Sequence, residues 1–362
     1  MTSFLRFASW PALAGALVAL LILQRWVWVD QGSPERGIQT SFSAAVAAAT
    51  PSVVNIYTAK RVATTRIPLN SNSLLIPRGV PRQRIERSLG SGVIMRDSGY
   101  ILTNNHVISG ADAIQVLLSD GRSVPAEVVG SDANSDLAAL RVDLQGLTPI
   151  TIADSDRIAV GDVVLAIGNP LGFGHSVTQG IVSGLGRFGL QLGTYEGYVQ
   201  TDAVIHPGSS GGALVDTNGA LVGINTLIYT SPGAGGSSNV GIGISLAIPS
   251  NLAEFVMDDL IRYGQVIRGW LGVSVEQNAV SGAPELRVQA VTAGGPADRA
   301  GLRPGDIITH FNNEPLTDVR LAMLEVAVMR PGDALDLTVD REGESVDLRA
   351  VIGAEPEGNL SP

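Results

Sequence analysis

Asp202-Ala203-Val204-Ile205-His206-Pro207-Gly208-Ser209-Ser210-Gly211-Gly212-Ala213-Leu214 sets a serine two places after one glycine and directly before two more. Glycines at this density make a poor strand and a poor helix, each costing roughly 0.5–1 kcal/mol in regular structure. They suit a backbone that turns sharply and aims consecutive N–H groups inward. A nucleophilic serine needs that arrangement, because the oxyanion of a tetrahedral intermediate must meet preorganised donors. Ser210 is the candidate nucleophile, since Ser209 lacks a glycine directly behind it. Gly208, Ser209 and Ser210 form the candidate oxyanion segment, with the N–H groups of Gly208 and Ser210 as the natural donor pair. A tight surface turn without chemistry is the alternative that this stretch alone leaves open.

A serine nucleophile needs a base, and the base needs an orienting carboxylate. The chain has four histidines, His106, His175, His206 and His310. Thr103-Asn104-Asn105-His106-Val107-Ile108 reads as a strand end that delivers a histidine into a turn. Thirty residues later, Asp132-Ala133-Asn134-Ser135-Asp136-Leu137-Ala138 places an aspartate just before an apolar strand. His106 is the candidate base and Asp136 its orienter, and a simple turn aspartate is the plainer reading of the second. The order His, Asp, Ser is chymotrypsin-type rather than that of subtilisin or the α/β-hydrolases. His206 is read as a rim imidazole, and His175 and His310 carry no assigned role.

The 362 residues allow about two domains. A hydrophobic content of 45% and 43 glycines favour a β-rich, turn-rich architecture, and a net charge of −10 argues against nucleic acid as the main partner. With no cysteine, disulfides, thiol nucleophiles and cysteine-ligated metals are excluded. The pattern asks for no metal and no cofactor.

Residues 7–23 carry no charge and are flanked by Arg6 and Arg25. As a helix they span about 25 Å, slightly short of a hydrocarbon core. Trp10, Trp26 and Trp28 suit the interfaces, and no small-x-small cleavage site follows Leu23, so an uncleaved membrane anchor is expected over a signal peptide. A polar tether and a short alanine-rich helix up to Ala49 come next. Residues 60–88, arginine-rich and aperiodic, are expected to be a long mobile loop. Short strands then follow one another, at 91–95, 99–103, 113–118, 123–129, 137–142 and 163–167, as in an all-β sandwich or barrel. Residues 252–263 show helical spacing, and a domain boundary is placed near Gly264. A second unit of strands carries a helix at 317–329. The expected division is 1–30 anchor, 31–45 linker and subunit-contact segment, 46–264 first domain, 265–355 second domain.

With Gly90-Ser91-Gly92-Val93-Ile94, Leu102 to Val107, Ser135-Asp136-Leu137-Ala138, Ala166-Ile167-Gly168-Asn169-Pro170, Thr178 to Ser183, Gln200 to Ala203 and Gly208 to Leu214 in order, the sequence resembles the HtrA family of ATP-independent serine proteases, in its membrane-anchored, single-PDZ branch. The resemblance implies a mainly β protein: a chymotrypsin-like pair of six-stranded antiparallel barrels, His106, Asp136 and Ser210 in the cleft between them, one PDZ domain, and an N-terminal transmembrane helix. It places an S1 pocket at Ile205, Leu227 and Ile228. Such branched apolar walls favour cleavage after valine or alanine, with loose discrimination of about 1–3 kcal/mol per methylene; ordinary core is the alternative. Ile267 to Val273 and Ala300 to Ile308 are similar to a PDZ domain, which captures an extended C-terminus as an added strand. Trp270, Leu271, Gly272 and Val273 would form its carboxylate loop, and Leu324 and Val328 its side-chain pocket. Arg268 either adds charge there or joins the linker to the first domain. The resemblance further implies a homotrimer with Phe42 at the contact, Arg187 as an allosteric arginine, and the bulk of the chain in the periplasm on the bacterial inner membrane. C-terminal peptides of misfolded outer-membrane proteins are the implied activators, and a membrane-embedded anti-sigma factor is the implied substrate. A soluble periplasmic quality-control protease and a chaperone-like binding module with weak proteolysis are the competing expectations. Ser209 and His206 depart from the family's usual asparagines.

Overall fold

The computed structural model describes residues 41–64, 82–170, 174–188, 195–228, 244–278, 285–316 and 318–354. The chain divides into two compact units, Met1–Phe42 and Ser43–Pro362. Within the first, the expected anchor and tether lie outside the described residues. Among the described residues no helix is long and apolar enough to cross a membrane.

The second unit opens with a short helix, Ser43–Ala49, that buries Ala45 and Ala49. Seven strands follow: β1 (Val53–Thr64), β2 (Arg82–Arg96), β3 (Tyr100–Asn104), β4 (Ala113–Leu117), β5 (Ser123–Pro125), β6 (Glu127–Asp132) and β7 (Leu137–Arg141). They form one sheet ordered β5-β4-β1-β2-β3-β7-β6. A six-stranded barrel was the expectation, with 123–129 as a single strand. Pro125 divides that stretch, because it has no N–H for a ladder and β-sheets tolerate it only at edges and bends. β5 pairs with β4 and β6 with β7, so the sheet's two edge strands are consecutive in the chain, joined through Ala126. Val54, Ile56, Ile94, Ile101, Val116 and Leu140 fill the interior.

Residues 60–64 and 82–88 correct the loop reading. They continue β1 and β2 as a paired ribbon, in register from Lys60↔Glu86 to Thr64↔Arg82. Residues 84–88 are all exposed, so neither face needs apolar side chains and the period of two that marks a half-buried strand never appears.

The second set, β8 (Val163–Gly168), β9 (Ser176–Arg187), β10 (Tyr198–Thr201), β11 (Ala213–Val215), β12 (Leu221–Ile228) and β13 (Ser245–Pro249), closes into a six-stranded barrel ordered β10-β13-β12-β11-β8-β9. Val164, Ala166, Val182, Leu214, Val222 and Ala247 pack inside it. Helix Ser250–Tyr263 buries Leu252, Ala253, Val256, Met257 and Leu260 along one stripe and stops at Gly264, whose φ of 74° is the usual left-handed cap.

Beyond it lie β14 (Gly269–Trp270), β15 (Val273–Asn278), β16 (Glu285–Val291), β17 (Ile307–Phe311), β18 (Glu314–Pro315), β19 (Ala334–Arg341), β20 (Glu344–Val351) and β21 (Gly353–Ala354), with helices Pro296–Ala300 and Val319–Val328. The sheet runs β15-β16-β17-β19-β20, β18 adds to β17, and β14 pairs with β21. Leu286, Val288, Ile308, Phe311, Leu335 and Leu337 form its core.

Candidate active site

β3 ends at Asn104 and the chain turns into the single-turn helix Asn105–Ile108, which presents His106. β6 ends at Asp132, and Asp136 occupies the turn before β7 with φ 55°, a left-handed conformation for a residue with a Cβ. Four donors hold it there. Asn105 N and Asn104 Nδ2 donate to its carbonyl, each at 3.0 Å. His106 N donates to Oδ1 at 2.9 Å, and Thr226 Oγ1 to Oδ2 at 3.1 Å. The fixed carboxylate then faces the ring: His106 Nδ1 and Asp136 Oδ2 are 2.6 Å apart. A carboxylate only accepts, so Nδ1 carries the proton and Nε2 is left as the basic nitrogen. The His106 side chain is 42% exposed and the Asp136 side chain 13%. The base is therefore open to substrate while its orienter is sheltered.

Ser210 reaches the same place from the second barrel. Its Oγ donates to Thr226 O at 2.8 Å, and the hydroxyl of that same Thr226 donates to Asp136. Thr226 thus bridges Ser210 and Asp136, and Asp136 in turn holds His106. Among the described residues no hydrogen bond joins Ser210 Oγ to His106, the hydroxyl being donated to the Thr226 carbonyl instead.

The turn ahead of Ser210 is tight. Ser209 N donates to His206 O at 2.9 Å across Pro207 and Gly208, with Gly208 at φ 95°. Proline second and a positive-φ glycine third are the marks of a type II turn. Ser209 O accepts from Gly212 N at 3.0 Å and Ser210 O from Ser91 N at 2.8 Å. The N–H groups of Gly208 and Ser210 have no partner among the described residues, which leaves two amide donors for an oxyanion. His206 is exposed at the rim, and His175 Nε2 donates to Val53 O at 2.8 Å.

Ile205 is buried in the barrel core with Val182, Val199 and Leu214. Leu227 and Ile228 lie on β12, and their side chains are outside the described residues. Arg187 Nε donates to Gln200 Oε1 at 2.8 Å across β9 and β10. Burial drives the Tyr198 hydroxyl far above its usual pKa, helped by Glu196 and Asp136, so it stays neutral.

In the C-terminal sheet an apolar groove of about 230 Å³ is lined by Trp270, Leu271, Gly272 and Val273 together with Val319, Ala322, Met323 and Val326. The N–H groups of Leu271 and Gly272 are without a partner among the described residues, as a carboxylate-binding loop requires. Leu324 and Val328 are not in this groove, which corrects the expectation. They line a separate cavity with Leu185, Gly197, Val199 and Phe255, because positions 319, 322, 323 and 326 share one face of the helix while 324 and 328 point off the opposite side. Arg268 takes the second of its two readings. It forms a bidentate pair with Asp132 at 2.5 and 3.2 Å, with both side chains buried, and its guanidinium lies 4.4 Å from the ring centre of Tyr195.

Sequence comparison decides the family. Serine endoprotease DegS of Escherichia coli (strain K12) is 41% identical over 88% of this chain and 87% of its own length. The chain belongs to the HtrA-type serine proteases. A trypsin-like peptidase domain matches residues 90–224 and a PDZ domain residues 269–352. A probable periplasmic serine protease do/HhoA-like of Haemophilus influenzae is 46% identical over 76% of the chain, and the chain spans 60% of that relative's length. The solved structure of the HtrA-type protease AlgW with a decapeptide superposes with a TM-score of 0.69 at 46% identity, over 88% of this chain and 99% of that one. In this HtrA-type chain, Asn104, Thr226 and Ser91 carry the site's hydrogen bonds without having been singled out for them. Each acts through a partner distant in sequence, and only the Asn-Asn-His run hinted at one of them.

Proposed function

We propose that the chain is a serine endopeptidase in which Ser210 attacks, His106 takes its proton through Nε2, and Asp136 fixes and charge-compensates the ring. The observation that carries this is the chain of bonds from Ser210 through Thr226 to Asp136 and on to His106, beside the N–H groups of Gly208 and Ser210 that have no partner among the described residues. The donors would meet the oxyanion of the tetrahedral intermediate, and the ring would return its proton to the leaving amine. Ile205, with Leu227 and Ile228, is assigned to a pocket for a small aliphatic residue.

In this reading the enzyme faces the periplasm, held to the inner membrane by residues 7–23. It works as a homotrimer with Phe42 at the contact, and C-termini of misfolded outer-membrane proteins in the Trp270–Val273 groove activate it against a protein such as an anti-sigma factor. Arg187 is assigned to the relay between groove and site. Arg268 supports a further link, since it precedes the groove loop and grips Asp132, whose carboxylate also accepts from Ser135 N at 3.0 Å, next to Asp136. A soluble periplasmic quality-control protease is the second reading, with which the similarity to a probable periplasmic serine protease of Haemophilus influenzae is equally compatible; finding residues 7–23 in a mature membrane-bound chain excludes it.

The test is Ser210→Ala on an unfolded protein, with and without C-terminal peptides. Cleavage is expected to vanish in both cases, and cleavage at the unmutated rate discards the assignment. Loss of the peptide effect on removing residues 266–362 is expected as well.

A further inference from the structure

Ser91 lies on β2, in the first sheet, wholly buried; its Gly90-Ser91-Gly92 run counted toward the family resemblance but carried no assigned part in the chemistry. All four of its polar functions are nevertheless engaged, two of them on the nucleophile turn of the second barrel. Its N–H donates to Ser210 O at 2.8 Å, and its carbonyl accepts from Thr103 Oγ1 at 2.7 Å. Its hydroxyl accepts from Asn169 N at 3.0 Å and donates to Gly208 O at 2.8 Å. The direction of the last bond is forced. An amide N–H can only donate and a carbonyl can only accept, so the hydroxyl proton must lie toward Gly208.

The consequence shows on following the turn peptide by peptide. His206 O is held by Ser209 N, Gly208 O by Ser91 Oγ, Ser209 O by Gly212 N and Ser210 O by Ser91 N, while Gly211 N donates to Asn225 O at 2.8 Å. Only the peptide joining Pro207 to Gly208 has neither its carbonyl nor its N–H engaged among the described residues. Ser91 therefore clamps the turn on both sides of the candidate donors. It does so from the strand paired with β3, whose end carries His106 (Val93↔Leu102, Ile94↔Ile101). Gly211, at φ 84°, makes room for this approach, since a side chain there would run into Ser91 O.

We infer that Ser91 is a positioning residue for the proposed proteolysis: its hydroxyl fixes the plane of the Gly208–Ser209 peptide, which stands between the two peptides that carry the Gly208 and Ser210 N–H groups, and its backbone N–H holds the Ser210 carbonyl, so that the turn keeps both donors toward the reacting carbonyl and at a set distance from the first sheet. The inference rests on the serine-protease reading above.

The experiment compares the full-length chain with Ser91→Ala, Ser91→Cys and Ser210→Ala. The readouts are kcat and KM on a peptide substrate, the inhibition constant of a peptide boronate that forms a tetrahedral adduct, and Tm. Outright loss of an oxyanion donor costs on the order of 100- to 1,000-fold in kcat. Misplacing one by Ser91→Ala is expected to cost about 10- to 100-fold in kcat, to weaken the boronate by a similar factor, and to leave KM within about twofold. Ser91→Cys, which refills the volume with a weak donor, should fall between wild type and Ser91→Ala, and it serves if the alanine variant does not fold. A lowered Tm with kcat and boronate affinity unchanged overturns the inference and makes Ser91 a packing residue. Ser210→Ala separates the two levels: if it still cleaves, the catalytic reading fails; if it is dead while both Ser91 variants match wild type, only the role of Ser91 fails.

Discussion

Gly208 and Thr226 are the residues at which small changes should have large catalytic effects. At φ 95°, Gly208 occupies a region that a residue with a Cβ enters at a cost of about 1–2 kcal/mol. Pro207 fits either a type I or a type II turn, so Gly208→Ala can relieve its strain by turning the one unheld peptide over, which carries the Gly208 N–H away from the oxyanion. The expected outcome is a fall in kcat of about tenfold or more with KM little changed, because that donor acts on the transition state and not on the bound substrate. Steady-state kinetics on a peptide substrate checks it. Thr226→Val removes a donor to a carboxylate, a bond of about 1.5–3 kcal/mol, and should lower kcat/KM by about tenfold. If instead the Thr226 carbonyl, which the substitution keeps, is all that matters, kcat/KM will be unchanged. The spacing of His106, Asp136 and Ser210 was legible because each stands in a distinctive local pattern. Ser91, Asn104 and Thr226 were not, because their contribution is a hydrogen bond to a group far along the chain, and any serine, asparagine or threonine can make one.

At the scale of single elements, helix Val319–Val328 gives the clearest case. Its residues are apolar nearly all round, so composition could not tell which face meets the groove, and Leu324 and Val328 were placed on the wrong one. The geometry makes the two faces separately testable. Ala322→Phe fills the groove and should weaken binding of a C-terminal peptide by more than tenfold, measured by fluorescence anisotropy. Leu324→Ala acts on the other face, toward Gly197, and should leave that affinity within about twofold. The ribbon of β1 and β2 escaped the sequence for the converse reason, being solvated on both faces. Pro125 split a strand that had been read as continuous. The C-terminal sheet also carries a titratable fastening, Arg341 on β19 against Asp306 at the start of β17, with two bonds of 2.8 Å. Those bonds, chiefly, hold the Asp306 carboxyl below the ordinary carboxylate pKa despite its burial. A carboxylate depressed in the folded state contributes stability that is present above the unfolded-state value of about 3.9 and is lost as pH falls through the folded value. Arg341→Gln should therefore lower Tm at neutral pH and flatten its decline as pH falls below the unfolded-state carboxylate value of about 3.9, which calorimetry across the acid range will show.

For the two sheets of the protease portion and the PDZ portion to act together, something must tie one to the other, and two buried or half-buried ion pairs do so. Arg330, just after helix Val319–Val328, reaches Asp259 on helix Ser250–Tyr263 at 2.7 Å and lies over the Phe255 ring at 4.1 Å. Arg268 and Asp132 are the tighter pair, 6% and 8% exposed, and they differ in what lies next to each. Two residues after Arg268 begins the groove loop, and four after Asp132 comes Asp136. Asp132 does not depend on the arginine alone, since Ser135 donates to it through both N–H and hydroxyl. Arg268→Met keeps an unbranched apolar stem and removes the guanidinium that lies over the Tyr195 ring, leaving a buried carboxylate with only local donors. Breaking a buried pair in this way costs about 3–5 kcal/mol, and the two Ser135 bonds place the expected loss toward the lower end. Because the pair spans the two portions, the loss should appear as thermal unfolding that divides into two transitions where the unmodified chain shows one. It should also appear as a ratio of peptide-stimulated to unstimulated cleavage that falls toward one, since a ligand in the groove shifts the active site only through contacts that differ between the two states. Asp132→Asn alone and with Arg268→Met completes a double-mutant cycle. A coupling energy of about 0.5–3 kcal/mol marks the pair as the connection, whereas additive effects with an intact peptide response would assign the connection to Arg330 and Asp259.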